Sequence, residues 1–270
     1  MIEVVGLTAL FLGLVAAEVA AWRLVRGPTA GRRGNVARIA IVLLVTTPVA
    51  LAAIWQLSRS RTVQLLGEMV SRVETTQPAV ALTFDDGPNP VFTQEVLDVL
   101  ADRDVQATFF VTGQSLEANP LEGERIVAAG HEMGNHSYSH VRMIARSYGF
   151  VRDEVETTDA LIRDAGYTGE ITFRPPYAKR LIVLSAYLSL TDRRTVLFDV
   201  EPESFPEITG DAQGIVQHVL DRTRPGSIIL LHVMGEHGDE SRAALPGIID
   251  GLQNQGYAFV TVSELLALEE

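Results

Sequence analysis

Two adjacent carboxylates, Asp85 and Asp86, follow the apolar run Val80-Ala81-Leu82 and precede Gly87-Pro88. The spelling Thr83-Phe84-Asp85-Asp86-Gly87 reads as a buried strand delivering acid groups to its C-terminal end. Neighbouring like charges repel, so a cation, a metal ion or a raised pKa must relieve the pair. A lone Asp-Asp-Gly is commonly just a turn that caps a helix. The downstream cluster His136-Ser137-Tyr138-Ser139-His140 changes the balance. Two imidazoles and one carboxylate form a three-ligand metal set that leaves positions for water and substrate.

Elements of alternating type must carry these groups. Strands are expected over 80–84, 107–111, 132–135, 171–173, 195–198, 228–231 and 258–261. Helical patterns cover 92–103, 122–129, 149–165, 181–190, 211–223, 241–255 and 263–268. Near-continuous apolar strands alternating with helices predict an α/β fold with a parallel sheet, closed as a barrel or doubly wound. The polar motifs then share one address. Asp85-Asp86, His136, Arg174-Pro175-Pro176-Tyr177, Asp199-Val200-Glu201 and His232 each stand at a strand's C-terminal end. A barrel gathers those ends around one mouth, where barrel active sites lie.

Charge and hydropathy divide the chain. Residues 1–75 carry 8 Arg against 4 Glu, whereas residues 76–270 carry 30 acids against 14 bases, a net of −16. Such an acidic domain repels phosphates, so no nucleic-acid partner is expected. No cysteine is present, which excludes disulfides, thiolate metal sites and cysteine nucleophiles. Residues 39–57 form an uncharged apolar stretch of spanning length, and residues 4–22 form a second one interrupted by Glu18. Arg23, Arg26, Arg32, Arg33 and Arg38 lie between these stretches, and only Arg59 and Arg61 follow closely. The positive-inside rule places the arginine loop in the cytoplasm and everything after residue 57 on the outer side. The expected organisation is a membrane region of one or two helices at 1–57 and a connecting segment at 58–77, helical over 63–73. A catalytic domain follows at 78–270.

Several familiar motifs fail on spelling. The Asp-x-Asp of a haloacid-dehalogenase phosphatase would need an acid where Thr83 stands. His131-Glu132-Met133-Gly134-Asn135-His136 is one residue too long for a zincin helix, and no Gly-x-Ser-x-Gly elbow or phosphate loop occurs.

The ordered set Thr83–Gly87, His136–His140, Arg174–Tyr177 and Leu230-Leu231-His232 resembles the polysaccharide deacetylases of the NodB-homology type, carbohydrate esterase family four, over about residues 78–265. The resemblance implies a distorted (β/α)7 barrel. It implies a divalent metal, zinc by ligand type, held by Asp86, His136 and His140. Asp85 would be the general base, kept ionised by Arg174, and His232 the general acid. The Tyr177 N–H would stabilise the oxyanion. Pro176, Phe205 and Leu230 would line the substrate site, the last two walling the acetyl methyl. The family's fourth motif is altered to Glu201-Pro202-Glu203-Ser204-Phe205, in which Glu201 would replace the carboxylate that holds the arginine or the acid histidine. The loop Val141-Arg142-Met143 after His140 is ordinary for the family. The implied activity is removal of acetyl groups from N-acetylglucosamine-type sugars of an extracellular or envelope glycan by a membrane-anchored hydrolase. The altered fourth motif leaves a glycan-binding pseudoenzyme as the alternative, and the same machinery would also suit an O-acetyl esterase.

Overall fold

The computed structural model describes residues 32–61 and 63–270, with isolated positions 13, 16, 19 and 23 before them. Apart from three of those isolated positions, the expected first apolar segment, residues 4–22, lies outside the described residues. Two compact units divide at 63/64.

The first unit contains helix α1 (Arg32–Arg59), with Pro48 inside it. Within it, Arg38–Ser58 is long and apolar enough to cross a membrane by length and composition. Leu43, Leu44, Leu51 and Trp55 are exposed on its surface.

The second unit holds a parallel sheet. Its strands are β1 (Met69–Val70), β2 (Ala79–Asp85), β3 (Thr108–Val111), β4 (Glu132–Asn135), β5 (Thr195–Val196), β6 (Ile228–Leu231) and β7 (Ala258–Val260). The central strand β2 is buried over its whole length and pairs with β3, β6 and β7. β3 also pairs with β4, and β1 pairs with β5. Isolated parallel bridges carry the ladder from Asn135 through Phe173 to Thr195, and from Val200 to Ile229 of β6. The strands thus follow one another round from β2 back to β2.

Helices α2 (Phe92–Ala101), α3 (Gly113–Ala118), α4 (Pro120–Ala128), α5 (Tyr148–Asp164), α6 (Ile182–Leu190), α7 (Ala212–Arg222), α8 (Asp239–Asn254) and α9 (Val262–Leu266) complete the unit. The amphipathic ones turn an apolar stripe to the sheet. In α2, for example, Val96, Leu97 and Leu100 enter the cluster that contains Leu82, Phe84 and Phe109. Each such side chain removed from water stabilises the fold by about 1.5–3 kcal/mol.

Two expectations need correction. Residues 63–73 do not form a helix. Met69 and Val70 are instead a short strand beside Thr195 and Val196, and Val70 and Val73 are buried in the core. β-Branched and apolar residues in so short a run pack equally well on a pleated surface. The expected strand at 171–173 reduces to a single bridge residue, Phe173, before the chain turns into Arg174-Pro175.

Candidate active site

The sequence places Asp85 at the last position of β2, and the fold buries it. Arg174 lies opposite, completely buried, and its Nη1 donates to Asp85 Oδ1 at 2.7 Å. The guanidinium is held on every side. Nη1 also donates to Thr83 Oγ1 at 2.8 Å, Nε to the Val196 carbonyl at 3.3 Å and Nη2 to the Leu197 carbonyl at 3.1 Å. The guanidinium carbon lies 3.9 Å from the Phe110 ring centre. Thr83 is fixed in turn by donating to the Ile229 carbonyl at 2.7 Å. Burial alone would raise the Asp85 pKa. Nearby positive charge, chiefly that of the Arg174 guanidinium that also hydrogen-bonds it, outweighs this and holds the carboxylate below its ordinary value.

Asp86 turns away from its neighbour through a left-handed backbone, φ 75°. Eight described non-glycine residues have positive φ, and Asp86, Ser137, His140, Tyr177 and Ala178 are five of them. Strained backbone concentrated around one set of side chains is a signature of a functional site. The loop after β4 is pinned from behind. Ser137 N–H donates to Asn135 Oδ1 at 2.8 Å, and Asn135 Nδ2 donates to the Val155 carbonyl and to Asp159. Glu154 accepts from both Ser139 N–H and Ser139 Oγ.

This scaffold aims two imidazoles at Asp86. His140 Nε2 is 3.2 Å and His136 Nε2 3.7 Å from Asp86 Oδ1. His136 Nδ1 lies 2.7 Å from the Arg174 carbonyl. A carbonyl only accepts, so Nδ1 carries the proton and the Nε2 lone pair faces Asp86. Burial and the neighbouring His136 push the His140 pKa down against the pull of Asp86 and Asp85, which favours its neutral, ligating form. Asp86 Oδ1 is buried without a hydrogen-bond partner. One donor atom from each of Asp86, His136 and His140 lies within 4.8 Å of the others. An orphaned carboxylate oxygen facing two imidazole lone pairs is the donor chemistry of a divalent cation site.

His232 follows β6. Its Nδ1 hydrogen-bonds a Glu203 carboxylate oxygen, and its backbone N–H donates to Glu203 Oε1 at 2.9 Å. Ser241 Oγ donates to the same carboxylate. Burial would lower the His232 pKa. The Glu203 hydrogen bond and charge, joined by the charges of Asp85 and Asp86, reverse this and push it up to about 9.

For the acid histidine this partner corrects the sequence reading, in which Glu201 would hold either the arginine or that histidine. Glu201 hydrogen-bonds Ser204, and its charge reaches Arg174. Glu201 precedes a 3-10 turn, Pro202–Ser204, that contains Glu203. Side chains in such a turn are about 120° apart, so Glu201 and Glu203 face different ways. Phe205, expected to wall the acetyl pocket, packs its ring on His218 at 4.5 Å and under Arg222 of α7. Leu230 is buried in the cluster containing Phe110 and Phe198. Pro176 is buried, and the Tyr177 ring is half-exposed, tilted against the His140 ring with centroids 4.7 Å apart. Among the described residues the Tyr177 N–H has no backbone acceptor.

Residues 72–191 match the sequence profile of the polysaccharide deacetylases. A chitooligosaccharide deacetylase of Sinorhizobium fredii is 39% identical over 202 residues, 70% of this chain and 92% of the relative. A crystal structure of the Bc1960 peptidoglycan N-acetylglucosamine deacetylase superposes with TM-score 0.69 at 32% identity, covering 75% of this chain and 95% of that one. BA3943, a CE4-family pseudoenzyme of Bacillus anthracis, superposes with TM-score 0.68 at 26% identity, covering 76% of this chain and 71% of that one. The chain belongs to the polysaccharide deacetylase family and is a hydrolase of that class.

Proposed function

We propose that the protein removes acetyl groups from N-acetylated amino sugars of a cell-envelope glycan, using a divalent cation held by Asp86, His136 and His140. The observation that carries this reading is the buried, unpartnered Asp86 Oδ1 facing two imidazoles, beside an Asp85 kept ionised by a buried arginine. The donor set suits zinc, which when bound would polarise the acetamide carbonyl and acidify a water. Asp85 takes the proton of the attacking water. Its Oδ2 is 3.5 Å from His136 Nε2, so the base stands directly beside the cation site. The Tyr177 N–H is available to the oxyanion that forms on the acetyl carbon. His232, protonated at neutral pH through Glu203, gives its proton to the leaving amine. One water and one amide become acetate and a free amine.

The two acid–base groups have pKa values pushed in opposite directions, the arrangement that lets one site run base and acid chemistry together. This argues against a binding-only role despite the fold likeness to a pseudoenzyme, since Asp85, Asp86, His136, His140 and His232 are all present. The exposed apolar span Arg38–Ser58 and the arginines before it support a membrane-anchored protein with its catalytic unit on the outer face, where a polymer substrate is reachable. Mass spectrometry of N-acetylglucosamine oligomers after incubation with the zinc-loaded protein should show losses of single acetyl units. An acetyl ester hydrolysed in their place would reassign the reaction to O-deacetylation.

A further inference from the structure

Arg142 extends the site outward. It is exposed on the loop that follows His140, and its guanidinium carbon lies 4.6 Å from the centre of the Tyr177 ring. That ring packs at a tilt against His140, centroids 4.7 Å apart, and His140 Nε2 is 3.2 Å from Asp86 Oδ1. A single chain of contacts therefore joins the cation site to an arginine at its rim. Stacking on the ring face restrains the guanidinium without using any of its five N–H groups. None of those groups hydrogen-bonds a described residue, and no described carboxylate pairs with this side chain. The nearby Arg146 is engaged otherwise: its Nε donates to the Arg142 carbonyl at 3.2 Å, and its guanidinium covers Phe150.

A guanidinium that is pre-oriented, exposed and unpaired is built for bidentate capture of a carboxylate. Its setting sharpens the point. Residues 76–270 carry a net charge of −16, so an anionic polymer gains nothing from the domain as a whole and needs a local cation where it docks. We infer that Arg142 selects glycans bearing a carboxylate on, or next to, the acetylated sugar. Neutral N-acetylated oligomers lack that contact. The inference rests on the deacetylase reading above and adds the substrate's charge class to it.

Two oligosaccharides of equal length decide it, one neutral and one carrying a carboxylate beside the target N-acetyl sugar. With the full chain loaded with zinc, the ratio of kcat/KM for the carboxylated over the neutral oligomer should exceed one. In Arg142→Gln that ratio should fall about three- to tenfold, chiefly through KM, and Arg142→Lys should restore part of it. An unchanged ratio in Arg142→Gln overturns the inference even if both oligomers are deacetylated. If neither oligomer releases acetate, the deacetylase reading fails instead. Calorimetric binding of the two oligomers to wild type and Arg142→Gln still decides the role of Arg142: equal loss of affinity for both, or for neither, rejects it.

Discussion

Arg174 Nη1 and Asp85 Oδ1 are 2.7 Å apart with both side chains out of contact with solvent. Removing one partner of such a pair strands the other charge. Arg174→Met should therefore lower unfolding stability by about 3–5 kcal/mol, read as a fall in the urea midpoint. The pH dependence has a definite sign. The Asp85 pKa is depressed in the folded state, so its contribution is present above the unfolded value of about 4 and lost as pH falls further. Without Arg174 the buried carboxylate is left with its desolvation, and this acid-side loss should disappear.

His232 and Glu203 set the other limb. The proton donor must be charged, so activity should decline as pH rises through about 9. Glu203→Gln removes the anion that holds the pKa up, and burial then pulls it down. The basic limb of the kcat/KM profile should move to lower pH, while Glu201→Gln should move it much less. Equal shifts in both variants would return the role to Glu201.

The cation site links binding to stability. A ligand that binds only the folded chain stabilises it by about 2.7 kcal/mol at one hundred times its dissociation constant. Chelation should lower the melting temperature of the wild-type catalytic unit, and added zinc should restore it. His140→Ala, which removes one ligand from the exposed side of the set, should melt at nearly the same temperature with or without zinc.

Where the catalytic unit begins is also open to measurement. A chain cut at Gln64 keeps β1, whereas one cut at Pro78 loses the pairing of Met69 and Val70 with β5 and the burial of Val70 and Val73. Two such side chains are worth about 3–6 kcal/mol. The shorter chain should unfold at a clearly lower denaturant concentration. Matching midpoints would show that β1 contributes nothing.

The central strand at 228–231 was legible because a parallel strand buried on both faces spells an apolar run, here Ile-Ile-Leu-Leu. β1 was not, since a two-residue strand has no period to read. α3 was missed for a similar reason, although Thr112 caps it by accepting from Ser115 N–H. Asp85 and the cluster of Asp86, His136 and His140 could be picked out as candidates because their order along the chain matches a family pattern. Glu203 was not, because two glutamates flank Pro202 and only the turn decides which one points at His232. Thr83 carried a signal that could have been used. A hydroxyl inside an otherwise apolar strand needs a partner, and Arg174 supplies one.

Acetate release by chelator-stripped full-length protein, titrated with zinc against an N-acetylglucosamine oligomer, bears most directly on the whole account. Wild type should regain activity and level off at one ion per chain. Asp85→Asn should take up the same single ion yet release at least about a hundredfold less acetate. Release that ignores the chelator, or that is equal in wild type and Asp85→Asn, would contradict the assignment of Asp86, His136 and His140 as the cation site and of Asp85 as its base.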